Sequence, residues 1–136
     1  MIRGVGVDIV RTKRLESAVD RWGRRFLERV FTGAEIAACY ERARPYASLA
    51  VRFAAKEAFI KASGISGIAF RDIEVANRKD GSPLIKKEGR LAMALAASGI
   101  ENLHLSLSHE EEYAVAMVVA EGAPRENLPA RPARPD

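Results

Sequence analysis

The stretch "GVGVDIV", residues 4–10, decides between two fold classes. Two glycines in an apolar run invite the reading of a dinucleotide-binding loop in a parallel α/β sheet. That fingerprint needs a third glycine opening a helix, and Ile9 stands in its place. The stretch therefore reads as a plain strand, from about Ile2 to Val10, with Val5, Val7 and Ile9 on one face and Gly4, Gly6 and Asp8 on the other. Asp8 then looks across a nearly bare surface, of the kind that lets another backbone, a metal or a phosphate approach closely.

Working outward, Leu15, Val19, Trp22, Phe26 and Val30 recur at spacings of three and four, which predicts one amphipathic helix over about 15–30 with this stripe in the core. Arg14, Arg21 and Arg25 fall on a line about a quarter turn away. Thr32 with Glu35 three residues on has the pattern of a capping box and opens a second helix, about 33–43. Pro45 suits the first turn of a third, which continues to a C-cap at Gly64. On it Tyr46, Leu49, Phe53, Glu57 and Ile60 share one face, and Val51, Ala54, Ala55, Ala58 and Ala62 another, so it is packed on both sides. "DIEVAN" reads as a strand, "RKDGSP" as a turn, and about 87–98 as a helix stopped by Gly99. "NLHLSLS" alternates strictly and leads through an acidic turn into "YAVAMVVA", an antiparallel hairpin. The whole is an α+β domain over residues 1–121 in which an antiparallel sheet packs against helices.

At 136 residues, 48% hydrophobic and 29% charged, the chain has the balance of one soluble globular domain, and no stretch approaches the roughly 20 apolar residues of a membrane span. Cys39 is alone, so no internal disulfide is expected, and with no leader pattern the expected compartment is the cytoplasm. The tail, 122–136, holds four of the six prolines and is expected to be disordered. A net charge of +4 calls for an anionic partner. The Arg14, Arg21, Arg25 line fits nucleic acid or an acidic protein surface, but a nucleic-acid motif and interleaved aromatics are missing.

Two carboxylates carry the chemistry. Asp8 is either a strand-end turn former or a ligand; Glu57 is either a partner for Lys61 one turn on, worth about 0.2–0.5 kcal/mol, or a ligand. Leaving a carboxylate buried and unpaired costs several kcal/mol, roughly ten times what such a pair returns, so a cation is needed. Two carboxylates from separate elements suit magnesium, which completes its shell with water and phosphate oxygens. Arg52, Lys56 and Lys61 bracket Glu57 and supply a phosphate-binding side, unless they form only a solvated face. His109, beside the hairpin turn, is either a phosphate contact or a bystander. One cysteine and two histidines, His104 and His109, show no zinc spacing, and no nucleophile elbow is present, so an attacking hydroxyl would come from a partner. A magnesium-dependent diphosphate transferase and a small basic binding protein both remain open on this ground.

Three stretches taken together, "GVGVDIVRTKRLE", "RFAAKEAFIKA" and "LSLSHEEEYAVAMVV", in this order and spacing, resemble the holo-acyl-carrier-protein synthase family, the short bacterial phosphopantetheinyl transferases. "RFLERVFTGAEI" and "GIAFRDIEV" fit as well, and the likeness covers about residues 2–120. The resemblance implies transfer of the phosphopantetheine arm of coenzyme A to a serine of apo acyl carrier protein, with release of adenosine 3′,5′-bisphosphate, in fatty acid and possible polyketide synthesis. It implies a homotrimer with sites between subunits, and no role for nucleic acid or membrane. By motif position it makes Asp8 and Glu57 the magnesium ligands and, with Lys61, the catalytic set. Arg52, Lys56, Lys61 and His109 would meet coenzyme A phosphates, Asn77 to Pro83 would lie near the adenine, and Arg14, Arg21 and Arg25 would meet the carrier protein.

Overall fold

The computed structural model describes residues 1–124; Gly122, expected in the disordered tail, is instead buried with its N–H on the Met1 carbonyl at 2.9 Å, and the rest of that tail, 125–136, lies outside the described residues. In chain order the elements are β1 (Ile2–Arg11), α1 (Thr12–Trp22), α2 (Arg24–Val30), α3 (Gly33–Tyr40), α4 (Pro45–Ser63), β2 (Val75–Asn77), β3 (Pro83–Ile85), α5 (Gly89–Ser98), β4 (Ile100–His109) and β5 (Tyr113–Gly122). A three-stranded antiparallel sheet of order β1-β5-β4 is backed by α4, and β2 and β3 form a separate small hairpin. The α+β class expected from the sequence holds.

The glycines of β1 explain how the two layers meet. A Cβ on Gly6 would stand 2.7 Å from the Ala62 nitrogen and closer still to the Ala58 carbonyl oxygen. One on Gly4 would stand 3.0 Å from the Ala62 carbonyl carbon. The bare strand face is thus filled by helix backbone, the first of the three occupants such a surface admits. Opposite it α4 presents only small residues, Ala54, Ala55, Ala58 and Ala62, all buried, and β5 answers with Ala114, Ala116, Val118 and Ala120. Close approach of small residues on both sides makes a dense layer whose dispersion contacts favour one separation. The other face of β1 is uncovered, with Val5 at 52%, Val7 at 56% and Ile9 at 61% exposure, continued by Met117 of β5.

Most local predictions match. Thr32 Oγ1 accepts from the Glu35 N–H at 3.2 Å and Glu35 Oε1 accepts from the Thr32 N–H at 3.0 Å, the reciprocal pair of a capping box. Pro45 opens α4 and Gly64 closes it. The single helix expected over 15–30 is instead two. Gly23, at φ 59, breaks it in the left-handed region that favours glycine, and its N–H bonds the Val19 carbonyl at 2.7 Å. The turn removes Trp22 from the expected core stripe: the residue is 56% exposed, with the Arg21 guanidinium 4.9 Å from its ring centroid.

Candidate active site

β1 and α4 run antiparallel across their contact, Gly4 meeting Ala62 and Gly6 meeting the turn between Ala58 and Ala62. Lys61, next to Ala62 on the flank of that contact, reaches back along α4. Its Nζ donates to the Val7 carbonyl at 3.1 Å and to Asp8 Oδ1 at 3.2 Å. Glu57 lies one turn earlier on the same flank, and residues four apart on a helix are neighbours, so the strand end bearing Asp8 and the helix edge bearing Glu57 and Lys61 face one another. Asp8 keeps only 18% of its side-chain surface, and Glu57 is half-buried with no hydrogen bond or ion pair among the described residues. The donor set is two hard carboxylates with no imidazole or thiolate, which fits magnesium completed by phosphate oxygens and water. No cluster of three His, Cys, Asp or Glu that would close a metal site by itself occurs among the described residues.

A second group forms around Arg52. Its side chain is buried; Nη1 donates to the Ser48 carbonyl at 3.4 Å and Ser48 Oγ at 3.3 Å, and Nη2 donates to Asn77 Oδ1 at 3.3 Å. Arg52 Nε is buried and unpartnered among the described residues. Asn77 and Pro83 are cross-strand partners in the β2–β3 hairpin, and Asn77 Nδ2 donates to the Gly81 carbonyl at 2.9 Å. The hairpin expected near one end of the ligand therefore does meet the arginine expected near its phosphates. His109 ends β4, exposed, with no side-chain hydrogen bond among the described residues.

Lys56 requires a correction. It is fully buried, and its three donors are taken by Glu35 Oε1 at 2.7 Å, the Phe70 carbonyl at 3.0 Å and the Ile73 carbonyl at 2.6 Å. Nothing remains to meet a phosphate. Burial pulls its pKa below the ordinary lysine value, with Glu35 opposing the shift. The sequence places Lys56 among charged residues on a helix, and nothing local marks it as internal.

The arginine line is also reorganised. Arg14 and Arg21 lie on α1 and Arg25 on α2 beyond the Gly23 break, all exposed. Arg25 lines a groove of about 630 Å³ with Trp22, Phe26, Glu28, Arg29 and Arg71. Arg71, from the short 3-10 turn Phe70–Asp72, is distant in sequence and was not in the expected set. The groove combines positive charge with an exposed aromatic floor.

A sheet laid on one long helix, with a carboxylate on each and cations around them, has the make-up of a site for phosphate groups. The chain belongs to the 4′-phosphopantetheinyl transferase superfamily, whose family model matches residues 4–118. Within it the chain is similar to holo-[acyl-carrier-protein] synthases. One, from Halothermothrix orenii, is 46% identical over 123 residues, which is 89% of this chain and 98% of that protein. The crystal structure of the Neisseria meningitidis holo-[acyl-carrier-protein] synthase superposes with TM-score 0.83 at 40% identity, covering 89% of this chain and 99% of the other. The holo-(acyl-carrier-protein) synthase from Bacillus anthracis, in complex with CoA (3′,5′-ADP), gives TM-score 0.74 at 36% identity over 90% and 99%. The chain is accordingly an enzyme, a phosphopantetheinyl transferase. No helix among its described residues is long and apolar enough to cross a membrane.

Proposed function

We propose that the chain transfers the phosphopantetheine arm of coenzyme A to a serine of apo acyl carrier protein, releases adenosine 3′,5′-bisphosphate, and depends on magnesium held by Asp8 and Glu57. The observation that carries this is the Lys61–Asp8 bridge across the β1–α4 contact, with Glu57 one turn before Lys61 on α4. The reaction is a substitution at phosphorus, so positioning and charge neutralisation supply most of the acceleration. When bound, the metal would supply Lewis-acid polarisation of the diphosphate. Lys61 would turn from Asp8 to the diphosphate and neutralise charge on the departing side. The serine proton would pass to Glu57, half-buried and without a side-chain partner among the described residues, or to a water beside it. Arg52, with Asn77 and Pro83 beside it and His109 from the β4 end, would bind the nucleotide part.

Arg14, Arg21, Arg25 and the Trp22 groove would receive the acidic carrier protein, the charges steering encounter and the ring giving a desolvated anchor. The uncovered Val5, Val7, Ile9 and Met117 face favours self-association, and the family resemblance makes the assembly a homotrimer. The reading places the reaction in fatty acid synthesis, in the cytoplasm, where the free buried Cys39 suits a reducing environment.

Incubation with coenzyme A, magnesium and apo carrier proteins of fatty acid and polyketide type, followed by mass spectrometry, tests the proposal. The expected result is a phosphopantetheine adduct on the carrier, lost with chelator and in Asp8→Ala and Glu57→Ala variants whose near-UV spectra match the parent. Full activity in either variant removes the metal assignment.

A further inference from the structure

The Glu35–Lys56 pair, which the proposed chemistry does not use, lies beneath the site. Glu35 is 1% exposed and Lys56 0%. A buried ion pair is poor value for stability alone, because desolvation offsets the attraction and apolar residues of similar volume often do as well. Its connections suggest another use. Glu35 Oε1 accepts from Lys56 Nζ at 2.7 Å and from the Thr32 N–H at 3.0 Å, while Oε2 accepts from the Val75 N–H at 3.0 Å. Lys56 also donates to the Phe70 and Ile73 carbonyls. One carboxylate and one ammonium thus join the start of α3, the middle of α4, the 70–73 segment and the first residue of β2.

The last of these connections reaches the site. Val75 opens β2, and two residues on Asn77 Oδ1 accepts from Arg52, which lies one turn before Lys56 on α4. β2 is therefore held at both ends, at Val75 by Glu35 of α3, which Lys56 ties to α4, and at Asn77 by Arg52 of α4. Removing the Glu35 attachment leaves Asn77 as the side-chain hydrogen bond from β2 to the helices, with the buried Val75 side chain and the β3 pairing holding the rest of the strand. A carboxylate is required for the full set: an amide keeps one acceptor but turns its NH₂ toward a second donor, either the Val75 N–H or the Lys56 ammonium.

We propose that Glu35 is a positioning residue for coenzyme A binding, acting through Val75 and Lys56 to fix the β2–β3 hairpin so that Asn77 and Arg52 keep one relative geometry. The proposal rests on the reading that this hairpin meets the nucleotide part of coenzyme A. Glu35→Gln preserves the volume and one acceptor, and Glu35→Asp keeps the charge opposite Lys56 while shortening the reach to Val75, which provides a second variant should the amide unfold the chain.

Two readouts separate the steps. Amide hydrogen exchange across 75–85, measured on the full chain without substrate, is expected to quicken in both variants while α4 amides stay protected. The KM for coenzyme A is expected to rise roughly 10–100-fold with kcat changed much less, the pattern of lost substrate positioning. Unchanged exchange across 75–85 in a folded variant overturns the proposal whatever the kinetics. Quickened exchange with a native KM, while Asn77→Ala does raise the KM, also overturns it, since the pair would then be structural only. Quickened exchange with a native KM in Asn77→Ala as well upholds the clamp and refutes the reading that the hairpin meets coenzyme A.

Discussion

Gly6→Ala tests the physical account of the site most directly. The added methyl would meet the Ala62 nitrogen at 2.7 Å and the Ala58 carbonyl carbon at 3.0 Å, with the Ala58 oxygen nearer still. Comfortable contact between such atoms begins at about 3.5 Å, so the nearest of them, the Ala58 oxygen, requires β1 and α4 to part by about 1.5 Å. Overpacking of a core costs about 1–3 kcal/mol, and the upper end applies here because the opposing atoms are backbone and have no rotamer to escape into. For a domain of this size, 3 kcal/mol lowers Tm by roughly 10 °C. Urea titration should show the midpoint falling with little change in slope. Transfer activity should fall with it, because the same separation carries Asp8 away from Lys61. Gly33→Ala is the control: it opens α3 with no positive φ, nothing lies within 4 Å of its added Cβ, and its stability should rise by about 0.4–1 kcal/mol. A Gly6→Ala protein within about 0.5 kcal/mol of the parent, the range of ordinary surface substitutions, would refute the close-approach argument.

Two further outcomes follow from other parts of the fold. Val7→Lys places a charge in the middle of the uncovered sheet face, so sedimentation should show the parent trimeric and the variant monomeric; a variant that stays trimeric rules this face out as the interface. Cys39 is buried in α3 and its thiol pKa lies above the ordinary 9.0, mainly through burial. Alkylation should therefore wait for unfolding. A raised folded pKa means the native thiol keeps its proton where the unfolded one loses it, so this contribution is complete below pH 9.0 and is lost as pH climbs toward the folded value. Stability of the parent relative to Cys39→Ala should decline over that alkaline window, and a flat difference contradicts the burial argument.

Local chemistry was legible where the signal was local. Pro45, Gly64 and the Thr32–Glu35 box set helix ends through nearest neighbours, and alternation in β1 and β4 set strand faces. The Asp8–Lys61 and Arg52–Asn77 bonds were not foreseen as pairs, since the sequence offers Glu57 as the helical partner of Lys61 and motif position sets Arg52 and Asn77 only near a common ligand. What escaped depends on three-dimensional company. Gly23 sits inside an unbroken apolar period, so periodicity alone runs through it. Lys56 looks like its charged neighbours until α3 and the 70–73 segment fold over it. Glu35 announces a cap and conceals its bond to Val75, forty residues away, and Arg71 reaches the Trp22 groove only through the turn that carries it.

The alternation of glycine and valine in β1 also governs which pairing of strands can be completed at all. A slip of one residue against β5 would reverse every side chain of β1, driving Val5 and Val7 toward the Ala58 and Ala62 carbonyls and turning the glycines outward. α4 could not close on such a sheet. The native register is thus the one that α4 can pack against, and the same register sets Asp8 beside Lys61.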